Sequence, residues 1–297
     1  MLALGGIVPP MVTPLDAHGE VDEPALLQEV EHLLAQGVHG LCVTGSTGEG
    51  HALDDAQVVA VARAVVRAVR GRVPVVGGVI RDGTRAATAL ARALRETGLD
   101  ALQVTPVHYL FPPDADATVA YYRAIGAASG LPVLVYNVVP WATLSPAVLR
   151  RLFAEVPEVV GVKQSGGDMH ALADLLASAD GRHLVFTAID DLLLPSFVLG
   201  AHGAIAAILT AAPGPAVALW DAVRAGRLEE ARRLHARLLR LWRALEGPNM
   251  PARLKRALAL QGRAGGLPAA PQAAVGAEDE ARIREALGAL GLAAAGS

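Results

Sequence analysis

The sequence predicts a single (β/α)8 barrel, a TIM barrel, closed by a C-terminal helical cap, and three observations carry that prediction. Eight short apolar runs recur through the first two thirds of the chain. Amphipathic segments of helical period lie between them. The runs are continuous rather than alternating, as strands covered by helices on both faces must be.

In order, the runs cover residues 6–8, 40–43, 73–77, 101–104, 132–136, 159–162, 184–186 and 204–208. Helical segments include 23–36, 55–70, 84–97 and 115–128, many opened by Asp, Thr or Ser where a side chain can cap the first turn. Strand and helix therefore alternate, which calls for a parallel sheet. A doubly wound open sheet is the rival. It more often uses about five to seven strands, and no G-x-G-x-x-G follows the first run, so the closed barrel is preferred. After about Thr210 the runs stop, and helical periodicity continues over 216–225, 228–245, 252–261 and 278–287. The Gly-, Pro- and Ala-rich stretch 265–271 reads as a linker inside this cap. Residues 1–210 are thus assigned to the barrel and 211–297 to its last helix and the cap, as one structural unit.

Composition narrows the functional class. The chain has 297 residues, 53% of them hydrophobic, and a formal net charge of −3. Its charges are scattered rather than blocked, which argues against a nucleic-acid or membrane-surface partner and for a small molecule. Cys42 is the only cysteine, so an internal disulfide framework and a four-thiolate zinc site are excluded. No apolar stretch reaches the roughly 18 residues of a membrane span, and the start lacks a basic, then apolar, leader; a cytoplasmic protein is expected. The nine histidines show no His-x-x-x-His pair and no carboxylate cluster at ligand spacing, so no metal is expected.

Reactive groups in such barrels stand at the C-terminal ends of the strands, and three of these ends are informative. The second run leads into Thr44-Gly45-Ser46-Thr47-Gly48-Glu49-Gly50, whose glycines let backbone N–H groups turn inward beside two hydroxyls, a cradle for a carboxylate or phosphate. It lacks the Gly-Lys-Ser/Thr of a P-loop. The fifth run ends at Tyr136-Asn137, which places a phenol at the barrel mouth, where it can relay a proton. The sixth ends at Lys163, where burial favours the neutral amine, the nucleophile that forms an imine with a ketone. Each has an ordinary reading: a capped turn, a packed aromatic, a lysine reaching for solvent. Together, a cradle, a phenol and an amine on one mouth describe a site for a 2-oxo acid.

These residues, with Gly5-Gly6, Val12-Thr13-Pro14, Val104-Thr105-Pro106, Gly161-Val162-Lys163, Asp190 with Pro195, and 255–262, resemble the dihydrodipicolinate synthase and N-acetylneuraminate lyase superfamily over essentially the whole chain. The resemblance implies a class I aldolase in which Lys163 forms a Schiff base with pyruvate or a related 2-oxo acid and Tyr136 shuttles protons. Gly45, Ser46 and Thr47 would hold the carboxylate, with Thr47 also linking Tyr136 into a hydroxyl relay. Ile205 would offer its carbonyl near the imine, and Ala188 and Asp190 would line the second-substrate pocket. The covalent imine would replace any cofactor, the partners would be a 2-oxo acid and an aldehyde, and the resemblance suggests a homotetramer built as a dimer of dimers.

Two departures separate this chain from the synthases. His108, followed by Tyr109, stands where they carry a second relay tyrosine, so the relay is either rebuilt with an imidazole or shortened. The loop Val138-Val139-Pro140-Trp141-Ala142-Thr143 is one residue longer and has no arginine to grip a distal carboxylate; Trp141 there suits an aldehyde with an apolar or aromatic end. Four readings follow: an aldolase or hydratase-aldolase with an unassigned tail; 4-hydroxy-tetrahydrodipicolinate synthase, joining pyruvate to aspartate semialdehyde; a sugar-acid lyase or dehydratase; and a non-catalytic binder of 2-oxo acids. The first is preferred, and the fourth is set aside because a binder would need the cradle but not the amine.

Overall fold

The computed structural model describes residues 2–178 and 181–293. Eight parallel strands follow the order β1-β8-β7-β6-β5-β4-β3-β2: β1 (Gly6–Ile7), β2 (Leu41–Val43), β3 (Val75–Val79), β4 (Ala101–Val104), β5 (Val133–Asn137), β6 (Val159–Gln164), β7 (Leu184–Thr187) and β8 (Gly203–Ala204). The ring closes where the chain around β1 meets β2. His39 N–H donates to Ile7 O (2.8 Å), Cys42 N–H to Pro9 O (3.0 Å) and Met11 N–H to Cys42 O (2.8 Å). All eight runs take part, and the fold is the (β/α)8 barrel.

Around it lie α1 (Glu23–Ala35), α2 (Asp55–Val69), α3 (Thr84–Arg95), α4 (Ala115–Ser129), α5 (Pro146–Glu155), α6 (Met169–Ser178), α7 (Leu193–Val198), α8 (Ile208–Ala211) and α9 (Pro213–Arg224), followed by α10 (Leu228–Leu245), α11 (Met250–Ala259) and α12 (Ala277–Leu290). Their starts follow local chemistry. Asp54 accepts from Gln57 N–H while the Gln57 side chain accepts from Asp54 N–H, a reciprocal cap on α2. Asp114 and Ser145 cap α4 and α5 from the same position.

One predicted strand is corrected. The apolar run 204–208 continues as β8 only through Ala204, and Ile208 already opens α8. A short Ala- and Ile-rich run satisfies a buried helix as well as a buried strand, so pattern alone could not separate them. The Asp190 carboxylate decides the point locally by accepting from Ile208 N–H at 2.7 Å.

The core has two compartments. Leu4, Val8, Cys42, Val76, Ala101, Leu134, Phe186 and Ile205 fill the inside of the barrel. A larger apolar layer lies between the strands and the helices and runs on under the cap. Two buried ion pairs bind the cap to the barrel: Arg263 with Glu29 of α1, and Lys255 of α11 with Glu49 of the turn after β2.

Candidate active site

The inward apolar residues make a floor, and the groups that follow them along the strands make the site. Above Cys42 comes Thr44, above Ala101 comes Gln103, and above Leu134 comes Tyr136. On β6 a register irregularity sets the phase. Val133 pairs with Val159 but Leu134 pairs with Gly161, which leaves Val160 as an extra residue. Val159 and Val162 both pack outward against helices and Val160 packs inward. The bulge resets the two-residue alternation between Val160 and Val162, so that Lys163 faces inward. Gly161 makes this possible, because a β-carbon there would stand 2.3 Å from Leu184 O.

Lys163 is 3% exposed and Tyr136 1%. The Lys163 Nζ lies 4.0 Å from the centre of the Tyr136 ring, and the two residues are paired directly across β5 and β6. The Tyr136 hydroxyl donates to Ser46 Oγ (3.0 Å) and accepts from Ser46 N–H (3.2 Å). Thr47 is buried beside them, yet the hydroxyl that meets the phenol belongs to Ser46; the link expected through Thr47 is corrected on that point. The turn is held from both ends: Gly50 N–H donates to Gly45 O, and Thr44 Oγ1 accepts from Gly78 N–H on β3 (3.1 Å). Thr44 sits in the left-handed region at φ 54°. Asn137 braces the mouth by donating to Gln164 Oε1 (2.9 Å) and Leu144 O (3.0 Å).

The remaining assigned residues divide into two groups. Ile205 is buried in the barrel interior, and Ala188 follows β7 with its N–H donating to Gln164 O (2.7 Å). Burial pushes the Asp190 carboxyl up to about 7, against the lowering effects of the Ile208 N–H bond and the neighbouring Lys163. Of these three, Asp190 feels the charge of Lys163. His108 and Trp141 lie on the rim. His108 Nδ1 is 3.0 Å from Pro106 O and 3.2 Å from Asp82 Oδ1, and its N–H donates to the same carboxylate. Trp141 is 75% exposed, and its Nε1–H donates to His108 O (2.9 Å). Among the described residues, the Tyr136 hydroxyl is bonded to Ser46 and to no imidazole. Tyr109, Leu110 and Phe111 continue this exposed apolar rim.

Sequence reasoning passed over Gln103, Asp82 and the Glu49–Lys255 pair. A signal existed for the first, since glutamine is the lone polar residue in the run Ala101-Leu102-Gln103-Val104 and has the parity of the inward positions. Among the described residues, no group of three or more His, Cys, Asp or Glu side chains could hold a metal ion.

The chain as a whole matches known proteins. The model of the dihydrodipicolinate synthetase family matches residues 3–290. The chain belongs to that family. The 4-hydroxy-tetrahydrodipicolinate synthase of Methanopyrus kandleri is 32% identical over 292 residues, spanning 97% of this chain and 96% of the relative. The synthase of Bacillus subtilis is 32% identical over 262 residues, 87% and 89% of the two chains. Among solved structures, a dihydrodipicolinate synthetase homologue from Pseudomonas aeruginosa superposes with a TM-score of 0.92 at 32% identity, covering 97% of this chain and 99% of its own. A prophage protein of the family from E. coli K12, solved in complex with pyruvate, gives 0.91 at 27% identity with the same coverages. Membership places the chain among the lyases of the dihydrodipicolinate synthetase family. No helix of the described residues is long and apolar enough to cross a membrane.

Proposed function

We propose that this chain is a class I lyase of the family in which Lys163 forms an imine with pyruvate or a related 2-oxo acid and makes or cleaves an aldol bond. The observation that carries the reading is the Lys163 amine, 3% exposed and 4.0 Å from the ring of a phenol that is itself bonded to the Ser46 hydroxyl and amide. An inward amine in an apolar barrel is poised for attack on a ketone carbon. The turn 45–47 offers N–H and hydroxyl donors to the substrate carboxylate. Loss of water from the adduct gives the protonated imine, an electron sink, from which a C3 proton or the C3–C4 bond can leave to form an enamine. Tyr136 moves the proton that each direction requires.

The second substrate is read as an aldehyde with an apolar or aromatic end. Residues 138–143 offer no arginine for a distal carboxylate, and Trp141 with Tyr109, Leu110 and Phe111 gives the mouth an apolar rim. The names of the curated relatives favour aspartate semialdehyde instead, and a condensation assay with pyruvate separates the two readings. A cytoplasmic homotetramer working without a cofactor completes the proposal, on the family's pattern.

Borohydride reduction in the presence of pyruvate, followed by peptide mass mapping, tests the central step. The expected result is one reduced adduct on the peptide carrying Lys163 and none in Lys163→Arg. Labelling of another lysine, or turnover retained in Lys163→Arg, would overturn it.

A further inference from the structure

β4 contributes alternate side chains to the barrel interior, Ala101 to the floor and Gln103 one step above it. Gln103 is 0% exposed, and neither its Nε2 nor its Oε1 has a hydrogen-bond partner among the described residues. Buried carboxamides are normally paired, and leucine or methionine would fill the same volume without exposing a bare dipole to the core. The position explains what the amide faces. A β-carbon placed on Gly45 would stand 2.6 Å from Gln103 Nε2 and 3.6 Å from the Tyr136 hydroxyl. Amide and phenol therefore confront each other across a residue that has no side chain to separate them.

The phenol oxygen already donates to Ser46 Oγ and accepts from Ser46 N–H. Once its proton has passed to the hydroxyl that leaves the lysine adduct as water, the oxygen is anionic and accepts a further donor, and bonds to charged acceptors are the strong ones. Other ionisable groups around it are placed differently. Lys163 lies over the ring face. Cys42, 3.9 Å from the same point on Gly45, is a thiol that burial pushes up to about 11. The Asp190 carboxyl is bonded to Ile208 N–H and feels the charge of Lys163.

The geometry points to Gln103 as a positioning residue of the proton relay, turning its Nε2–H onto the Tyr136 oxygen when that oxygen becomes a phenolate. It thereby sets the pH at which the phenol serves as base. In the step concerned, the C3–H bond of the imine breaks, the proton joins the phenolate oxygen, and the electron pair moves into C2–C3 as the iminium becomes an enamine. The inference rests on the Schiff-base reading above, and its test is arranged so that the two fail separately.

The test compares wild type with Gln103→Leu, and with Gln103→Met should the leucine variant fail to melt cooperatively. Two quantities are read: the pyruvate concentration that half-saturates borohydride trapping, and the rate at which saturating pyruvate exchanges its methyl protons in D2O across pH. The variant is expected to trap within about twofold of wild type. Its exchange at neutral pH should slow about 10- to 100-fold, and the rise of rate with pH should move up by about one to two units. A merely structural role would raise the half-saturating concentration and leave the pH of the rise unmoved, and that result overturns the inference. An exchange profile superimposable on wild type does so as well. A wild-type enzyme that pyruvate and borohydride fail to label overturns the Schiff-base reading instead.

Discussion

Replacing Lys255 with methionine removes the cation from the pair that fastens the turn after β2 to the cap. Lys255 and Glu49 are both buried, and Lys255 Nζ also donates to Leu267 O (2.6 Å). Glu49 Oε1 accepts from Ala269 N–H at 2.8 Å. Burial draws the lysine below its ordinary value, while Glu49 supports the charged form. Methionine fills the volume of the stem but leaves a carboxylate in an apolar pocket with one N–H for company. Breaking a buried pair in this way costs about 3–5 kcal/mol, or roughly 6–10 °C of melting temperature at about 2 °C per kcal/mol. Glu49→Gln with Lys255→Met removes both charges and keeps an acceptor for Ala269, so the double variant is expected to melt well above the sum of the single losses, with a coupling of at least about 2 kcal/mol. Denaturant unfolding of the four proteins measures it. A Lys255→Met protein melting within a degree of wild type, or single losses that simply add, would refute the reasoning.

Two further outcomes are expected. Asp190 holds its proton up to about pH 7 in the folded protein but only to about 3.8 in an open chain. The native state binds the extra proton between those values, so this residue's contribution to stability falls as pH rises from about 4 to 7; Asp190→Asn should flatten that slope in urea midpoints taken across the window, and parallel curves would count against it. Gly161→Ala must displace the Leu184 carbonyl, since its β-carbon would stand 2.3 Å from that oxygen. It should cost about 1–3 kcal/mol and weaken borohydride labelling of Lys163; a wild-type urea midpoint with wild-type labelling would show that β6 does not depend on the glycine.

The strands were legible because Val, Ile and Leu in unbroken runs have few uses other than parallel strands, and the helices because Asp and Ser mark their starts. The run 204–208 misled because alanine and isoleucine suit either structure, and the carboxylate that caps Ile208 comes from Asp190, 18 residues away. At the site, Lys163, Tyr136 and the 45–47 turn announced themselves as chemistry-bearing residues at strand ends. The choice between Ser46 and Thr47 was not legible, since adjacent hydroxyls on a turn differ only in which way the backbone aims them. Trp141 is bulky and apolar in the sequence, but that its indole bonds to the His108 carbonyl at the rim was not legible. The bulge at Val160, which decides whether Lys163 faces in or out, left no trace beyond one glycine.

The tie between Arg263 and Glu29 reaches across 234 positions, and Arg263 also donates to Thr210 O (2.8 Å). Together with Lys255 it means that two acidic groups in the first fifth of the chain are neutralised only by cations from its last fifth. A piece of the chain ending near residue 210 would hold both acids without these cations. Two buried ion pairs and the bond from Arg263 to Thr210 O thus cross the boundary near Thr210, and a cut there would part each acid from its cation.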